Sequence, residues 1–217
     1  VRSRGLGDVY KRQVRKHKAG ILGPRYCIRS NCVLRCGDMP EGCFVRMSIH
    51  FVSNGQLYKE AIGPVAGASS FVWIGTADIK DLHVHHKGSV KSFLSVLDSL
   101  AKKKVAIRLL HAKEPGPNFR KSFDKYPLLW KNMERQLCPR VHFKHIVVDG
   151  KFAYSGSANL TGAGLGIKGA GTRNFEAGFI TTDPEIIEAI MNQFDEVWMG
   201  KFCKECKRKE FCGDPIL

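Results

Sequence analysis

The hydrophobic and polar positions of this chain follow two alternating periods. Ser70 to Thr76, SFVWIGT, is an unbroken run of apolar, β-branched and aromatic residues, the pattern of a strand buried on both faces. From Ser89 to Lys103, Val90, Phe93, Leu94, Val96, Leu97 and Leu100 fall at the spacing of an amphipathic helix. Val105 to His111 repeats the buried-strand pattern. After Pro115-Gly116-Pro117 a helix is expected over Phe119 to Gln136, closed by Cys138-Pro139. Val141, Phe143, His145 and Val147 then alternate with His142, Lys144 and Ile146 up to Asp149-Gly150, which predicts a strand, a tight turn and a second strand. Glu176 to Thr181 reads as a further strand. Pro184 opens a helix through Trp198 with Ile186, Ile187, Ile190, Phe194 and Val197 on one side. Strands alternating with helices imply an α/β fold with parallel sheet units and right-handed crossovers. Trp73, Trp130 and Trp198 each fall on apolar faces and are expected in the core.

The flanks are patterned differently. Residues 1–20 hold seven Lys/Arg against one Asp, and VRSRGLGDVYKRQ resembles a translated adapter or cloning remnant more than a folded segment. We expect a basic tail over 1–20, a Cys-rich segment over 21–53, the main domain over 54–200 and a Cys-rich tail over 201–217. Phe44 to Val52 is a short apolar run, Leu57 to Val65 a short helix cut by Gly63-Pro64, and Gly162 to Thr172 a glycine-rich loop. At 217 residues the chain is long enough to bury a full core.

Composition changes the picture in one respect. The formal charge of +15 and pI near 9.6 point to a polyanionic partner, nucleic acid or an anionic lipid surface. The tail contributes +6 of that (seven minus one), leaving +9 for the rest, so the basic balance argues less strongly for nucleic acid than the total suggests. No run of 18 apolar residues occurs, so no helical membrane span is expected. The expected location is the cytoplasm, although the chain starts at Val1 with its first Met at Met39, leaving a signal peptide ahead of it open.

The chemistry concentrates in VHFKHIVVDGKFAYSGSANLT, Val141 to Thr161. By strand parity His142 and Lys144 share one face, and the Gly156-Ser157-Ala158-Asn159 loop follows the second strand. An imidazole, an ammonium, a hydroxyl and an amide make a compact set of donors for a tetrahedral anion. Phosphodiesters resist hydrolysis because their charge repels anionic nucleophiles. A neutral imidazole nitrogen attacks without adding charge, and Lys144, Ser157 and Asn159 would hold the nonbridging oxygens.

H-x-K-x-x-x-x-D followed by G-S-x-N resembles the signature of the phospholipase D superfamily. It is carried here by His142, Lys144, Asp149, Gly156, Ser157 and Asn159, with Glu176 in RNFEAGF at the family's downstream acidic position. The resemblance implies a phospholipase D-like mixed, largely parallel sheet flanked by helices, here with Cys-rich N- and C-terminal extensions. It also implies a phosphodiesterase with His142, Lys144, Asp149, Ser157, Asn159 and Glu176 at its catalytic centre. Within that set Asp149 reads as structural, at the turn and facing away from His142, and Glu176 as the carboxylate that orients a histidine. His111 and Lys113 form a second H-x-K, but Asn118 stands where the aspartate would be and no G-S-x-N follows, so we read it as coincidence.

Members of that superfamily generally combine two motifs per site, and short members with one build the site across a twofold axis. The resemblance therefore implies a homodimer, with one histidine phosphorylated and its partner acting as acid and then base, and no cofactor for catalysis. Nucleic acid is the favoured partner, and phospholipid the alternative. A non-catalytic nucleic-acid-binding module is a further alternative.

Three other groups carry residues that can bind a metal. Cys203-x-x-Cys206-x-x-x-x-x-Cys212 suits structural zinc and is similar to the cysteine arrangement that holds an iron–sulfur cluster in some DNA-processing nucleases. Three ligands are one short, and Cys27, Cys32, Cys36, Cys43 and Cys138 are the candidates for the fourth. The four N-terminal cysteines also suit disulfides or a metal knot of their own. His83, His85 and His86 read as a solvated loop, with a place beside the cleft or at a metal as the alternatives.

Overall fold

A computed structural model describes residues 26–29, 32–35, 48–80, 82–86, 89–165 and 171–213, with the backbone alone for the first two segments and for residues 85, 86, 89 and 90. The chain divides into two compact units, 1–46 and 47–217. In the first, β1 (Tyr26–Arg29) and β2 (Cys32–Arg35) pair antiparallel. The basic tail, Cys36, Cys43 and the side chains of Cys27, Cys32, His85 and His86 lie outside the described residues.

The second unit is built on a seven-stranded sheet. Its elements follow as β3 (Ile49–Ser53), α1 (Gly55–Leu57) running on through helical turns to Gly67, β4 (Phe71–Thr76), β5 (His83–His86), β6 (Ser89–Ser92), α2 (Phe93–Lys102) and β7 (Ala106–His111). After these come α3 (Pro117–Phe123), α4 (Pro127–Asn132), β8 (Met133–Leu137), β9 (Lys144–Val148), β10 (Phe152–Gly156), β11 (Ala177–Thr181) and α5 (Pro184–Trp198). The strand order is β3-β11-β10-β9-β4-β7-β8, with β5 and β6 as a separate hairpin. β4, β7 and β8 pair parallel and every other join is antiparallel. Consequently β3, β10, β4, β7 and β8 run one way, and only β9 and β11 run against them. This is the mixed sheet with flanking helices that the sequence led us to expect, with five of its seven strands pointing one way.

Local chemistry fixes the two longest helices. Ser92 caps α2 by accepting from the Leu94 N–H at 3.2 Å, and Phe93, Leu94, Val96, Leu97 and Leu100 bury its apolar face. Asp183 accepts from the Glu185 N–H at 2.9 Å at the start of α5, Pro184 pre-sets the first turn, and Ile187, Ile190 and Phe194 pack inward.

Three expectations are corrected. The helix expected over Phe119 to Gln136 is α3, α4 and then strand β8. Pro127 cannot continue α3, and the parallel ladder to β7 overrides the helical preference of Glu134, Arg135 and Gln136. Ser89 to Ser92, read as the start of a helix, pairs with β5 instead. Trp130, placed in the core by its apolar neighbours, is 61% exposed, with Phe123 at its edge and the Arg135 guanidinium 5.9 Å from its ring. Trp73 is buried as expected, and Arg108 lies between it and Trp198, 5.1 Å from each ring.

Candidate active site

Because β9 runs against β4, its first residues stand where β4, β7 and β10 end. That carboxyl edge is where open α/β sheets receive ligands. The hairpin register places Lys144 opposite Gly156, and His145 opposite Gly75 of β4. Both glycines are required by close approach. A Cβ on Gly156 would lie 2.5 Å from the Ala177 carbonyl oxygen, and one on Gly75 2.4 Å from the Phe143 ring. The motif residues thus reach the edge over two positions that admit no side chain.

His142 precedes β9 and is exposed, whereas Lys144 is only 6% exposed. The Lys144 ammonium donates to the His142 carbonyl at 2.5 Å and lies 3.3 Å from Nδ1 and 3.4 Å from Nε2 of the same residue. Burial pushes the Lys144 amine below its ordinary value, while the charge of nearby Glu176 acts in the opposite sense. A buried cation therefore sits directly behind an exposed imidazole.

The G-S-x-N loop completes the edge. The Ser157 hydroxyl donates to a Glu176 carboxylate oxygen and accepts from the Ala177 N–H at 3.1 Å, while the Ser157 N–H donates to the Ala177 carbonyl at 2.9 Å. The other Glu176 oxygen accepts from the Asn174 amide at 3.0 Å, and the Glu176 N–H donates to Asn54 Oδ1 at 3.2 Å. Asn159 Oδ1 accepts from the Asp78 N–H at 3.1 Å and lies 3.4 Å from Thr76 Oγ1. With its oxygen so engaged, Asn159 has an amide Nδ2 to offer as a donor.

His142, Lys144, Ser157, Asn159 and Glu176 are thus gathered at one sheet edge. Glu176 engages Ser157 and Asn174, while the His142 ring meets Lys144. Asp149 stands apart at the far end of β9. Its φ of 54° and the 65° of Gly150 make the tight turn, and its carboxylate accepts from Ser69 N–H (2.9 Å), Ser69 Oγ (2.8 Å), Ser70 N–H (2.7 Å) and Phe71 N–H (2.9 Å). Burial alone would raise its pKa. The N–H groups of Phe71, Ser69 and Ser70 outweigh that and hold it below the ordinary carboxylate value.

Supporting residues emerge that sequence reasoning had not singled out. Thr76 closes β4, and its buried hydroxyl donates to the Asp78 carbonyl at 2.7 Å and accepts from the Leu160 N–H at 3.1 Å, locking the G-S-x-N loop onto that strand. Its position as the last residue of a buried parallel strand was the available signal. His145 is buried, stacked on Phe143 with centroids 4.7 Å apart, and its Nε2 lies 2.9 Å from Gln193 Oε1 on α5. Burial pushes its pKa down, which suits a neutral ring tying β9 to the helix.

The second H-x-K lies one strand over, at the end of β7, and its groups are engaged by their own neighbours. His111 is buried with Nδ1 2.8 Å from the Lys113 carbonyl, and the Lys113 ammonium pairs with Asp78 at 3.3 Å. His83 is exposed on β5 of the separate hairpin. No helix among the described residues is long and apolar enough to cross a membrane.

The fold has solved counterparts. NucT from Helicobacter pylori superposes with a TM-score of 0.52 at 16% identity, covering 70% of this chain and 95% of that one. Nuc from Salmonella typhimurium, described as a phospholipase D family member, gives 0.52 at 13% identity with the same coverage. Polyphosphate kinase from Porphyromonas gingivalis shares 68% of this chain and 25% of its own, at 9% identity and a TM-score of 0.50. No curated protein sequence matches the chain. Residues 65–198 match the family model described as "Cardiolipin synthase, PLD-like domain", a span that holds His142, Lys144, Ser157, Asn159 and Glu176. This chain belongs to the phospholipase D superfamily.

Proposed function

We propose that the protein is a phosphodiesterase that cleaves nucleic-acid backbones through a covalent phosphohistidine. The observation that carries this reading is the exposed His142 ring with the buried Lys144 ammonium behind it. The imidazole nitrogen attacks phosphorus, the bond to the leaving oxygen breaks, and that oxygen takes a proton from a second imidazole. Lys144, Asn159 Nδ2 and Ser157 stabilise the nonbridging oxygens most strongly when phosphorus is five-coordinate. Water, deprotonated by the second imidazole, then displaces the histidine. One H-x-K motif supplies one imidazole, so the second comes from His142 of a twofold-related copy.

Nucleic acid is favoured over lipid by the +9 balance outside the tail and by an aromatic at the rim. Phe175, beside Glu176, is 92% exposed, the disposition of a face on which a base stacks. The test offers the purified protein labelled DNA, labelled RNA and phospholipid vesicles in EDTA, with His142→Ala alongside. The reading expects oligonucleotide cleavage by wild type alone, and a dimer by sedimentation. Vesicle hydrolysis without oligonucleotide cleavage would replace it with a phospholipase, and salt-sensitive binding without product would replace it with a binding module.

A further inference from the structure

The Cys-rich tail is not used by the chemistry above, and the fold brings a fourth cysteine to it. Cys203-x-x-Cys206 lies in turns directly after α5, with the Cys203 N–H bonded to the Gly200 carbonyl at 2.9 Å and the Cys206 N–H to the Cys203 carbonyl at 3.2 Å. The Arg208 N–H donates to Cys206 Sγ at 3.4 Å, a sulfur held by the amide two residues on. Cys212 follows a 3-10 turn, and its Sγ lies 3.8 Å from the Leu137 carbonyl oxygen. That places Cys212 against the end of β8, where Cys138 begins its own turn with its carbonyl accepting from the Val141 N–H at 3.0 Å. Cys138 is near enough to Cys212, Cys203 and Cys206 for all three to act electrostatically on its thiol. All four are free thiols of intermediate exposure.

We propose that Cys138, Cys203, Cys206 and Cys212 form a tetrathiolate site for a single zinc-like divalent ion, which pins the tail to the segment that leads into His142. The donor set is what such an ion takes, and two of the four ligands have the C-x-x-C spacing of structural sites. Four thiolates around a divalent ion leave a net charge of −2, and basic side chains stand beside them to offset it. The positive charges of Arg140 and Lys209 both act on Cys206 and favour its thiolate. No three His, Cys, Asp or Glu side chains among the described residues stand at metal-ligand spacing. Loading the ion therefore requires the turns that carry Cys203, Cys206 and Cys212 to close on Cys138, with the thiols losing their protons as they ligate. Cys138 thereby supplies the missing fourth ligand, and the two ends of the site are joined across β8 and α5. The position matters because Val141 and His142 lie three and four residues beyond Cys138, so the ion would fix the approach to the catalytic strand.

The experiment uses the full chain, expressed with zinc and purified reduced without chelator. Metal analysis is expected to give about one zinc per chain, with each of Cys138→Ser, Cys203→Ser, Cys206→Ser and Cys212→Ser losing most of it and Cys27→Ser retaining it. Should a variant not fold, alkylation of the native wild-type protein followed by mass mapping gives the same answer. Cys138, Cys203, Cys206 and Cys212 are expected to resist alkylation until the metal is stripped. A reduced wild-type chain that binds no zinc, or a Cys138→Ser variant with its full zinc content, would overturn the site. A brown protein containing iron and acid-labile sulfide would overturn the single-ion form.

Discussion

The two ends of β9 carry the same motif and do opposite work. At the start, Lys144 is buried beneath an exposed His142, with a cation held out of water by the fold. At the end, five residues on and roughly 17 Å away at strand rise, the Asp149 carboxylate is occupied by four donors from Ser69, Ser70 and Phe71. The first end sets a buried cation against a side chain open to solvent, whereas at the second the carboxylate is satisfied by the protein itself. A single sequence signature thus combines the proposed nucleophile with the clamp that holds the turn after the strand presenting it.

Substitutions at the two ends should therefore separate activity from stability. The largest effect is expected for His142→Ala, which should lower turnover by at least about a thousandfold while leaving the melting temperature unchanged. Lys144→Met should cost roughly a hundredfold or more in kcat/KM, as loss of one charge-stabilising donor does. Its stability should hold or rise, because burial disfavours the Lys144 ammonium and methionine removes that charge. Parallel thermal melts and kinetics distinguish this from general damage to the fold.

Asp149→Asn should reverse the pattern, destabilising the protein by roughly 2 kcal/mol in urea while activity per folded molecule stays near that of wild type. The pH dependence has a definite sign. The folded pKa of Asp149 lies below its ordinary value of 3.8, so its contribution is complete above that value and disappears as pH falls through the folded pKa. Acid titration of stability should show this loss below about pH 3.8 in wild type, and a shallower slope in Asp149→Asn. The smallest effect is expected at Phe175→Ala, which should raise KM for single-stranded oligonucleotides by about tenfold with kcat little changed.

Much of this site was legible because its chemistry lies on one hairpin, where spacing translates directly into position. The Asp149-Gly150 turn fixes the register, so His142, Lys144 and the G-S-x-N loop come together at one edge by geometry alone. The helix α5 was equally legible, since Pro184 and the apolar stripe agree on where it starts and which face it buries. What the sequence concealed was decided by partners distant along the chain. Met133 to Leu137 has helix-forming residues and becomes a strand only because β7 offers it a parallel ladder. The sequence placed Thr76 at the end of a buried strand but could not show its role, which follows from the arrival of Asn159 and Leu160 from more than eighty residues away. The exposure of Trp130 likewise depends on α4 lying at the surface rather than in one long helix.

The central claim is that His142 attacks phosphorus and carries it covalently. Acid-free quenching of the protein with substrate labelled in the scissile phosphate, followed by peptide mapping, tests it directly. The account predicts an acid-labile phosphorus–nitrogen adduct on the peptide containing His142, with one strand segment still esterified to the phosphorus, and none in His142→Ala. Cleavage that proceeds at the wild-type rate in His142→Ala, or an adduct on another residue, would contradict it.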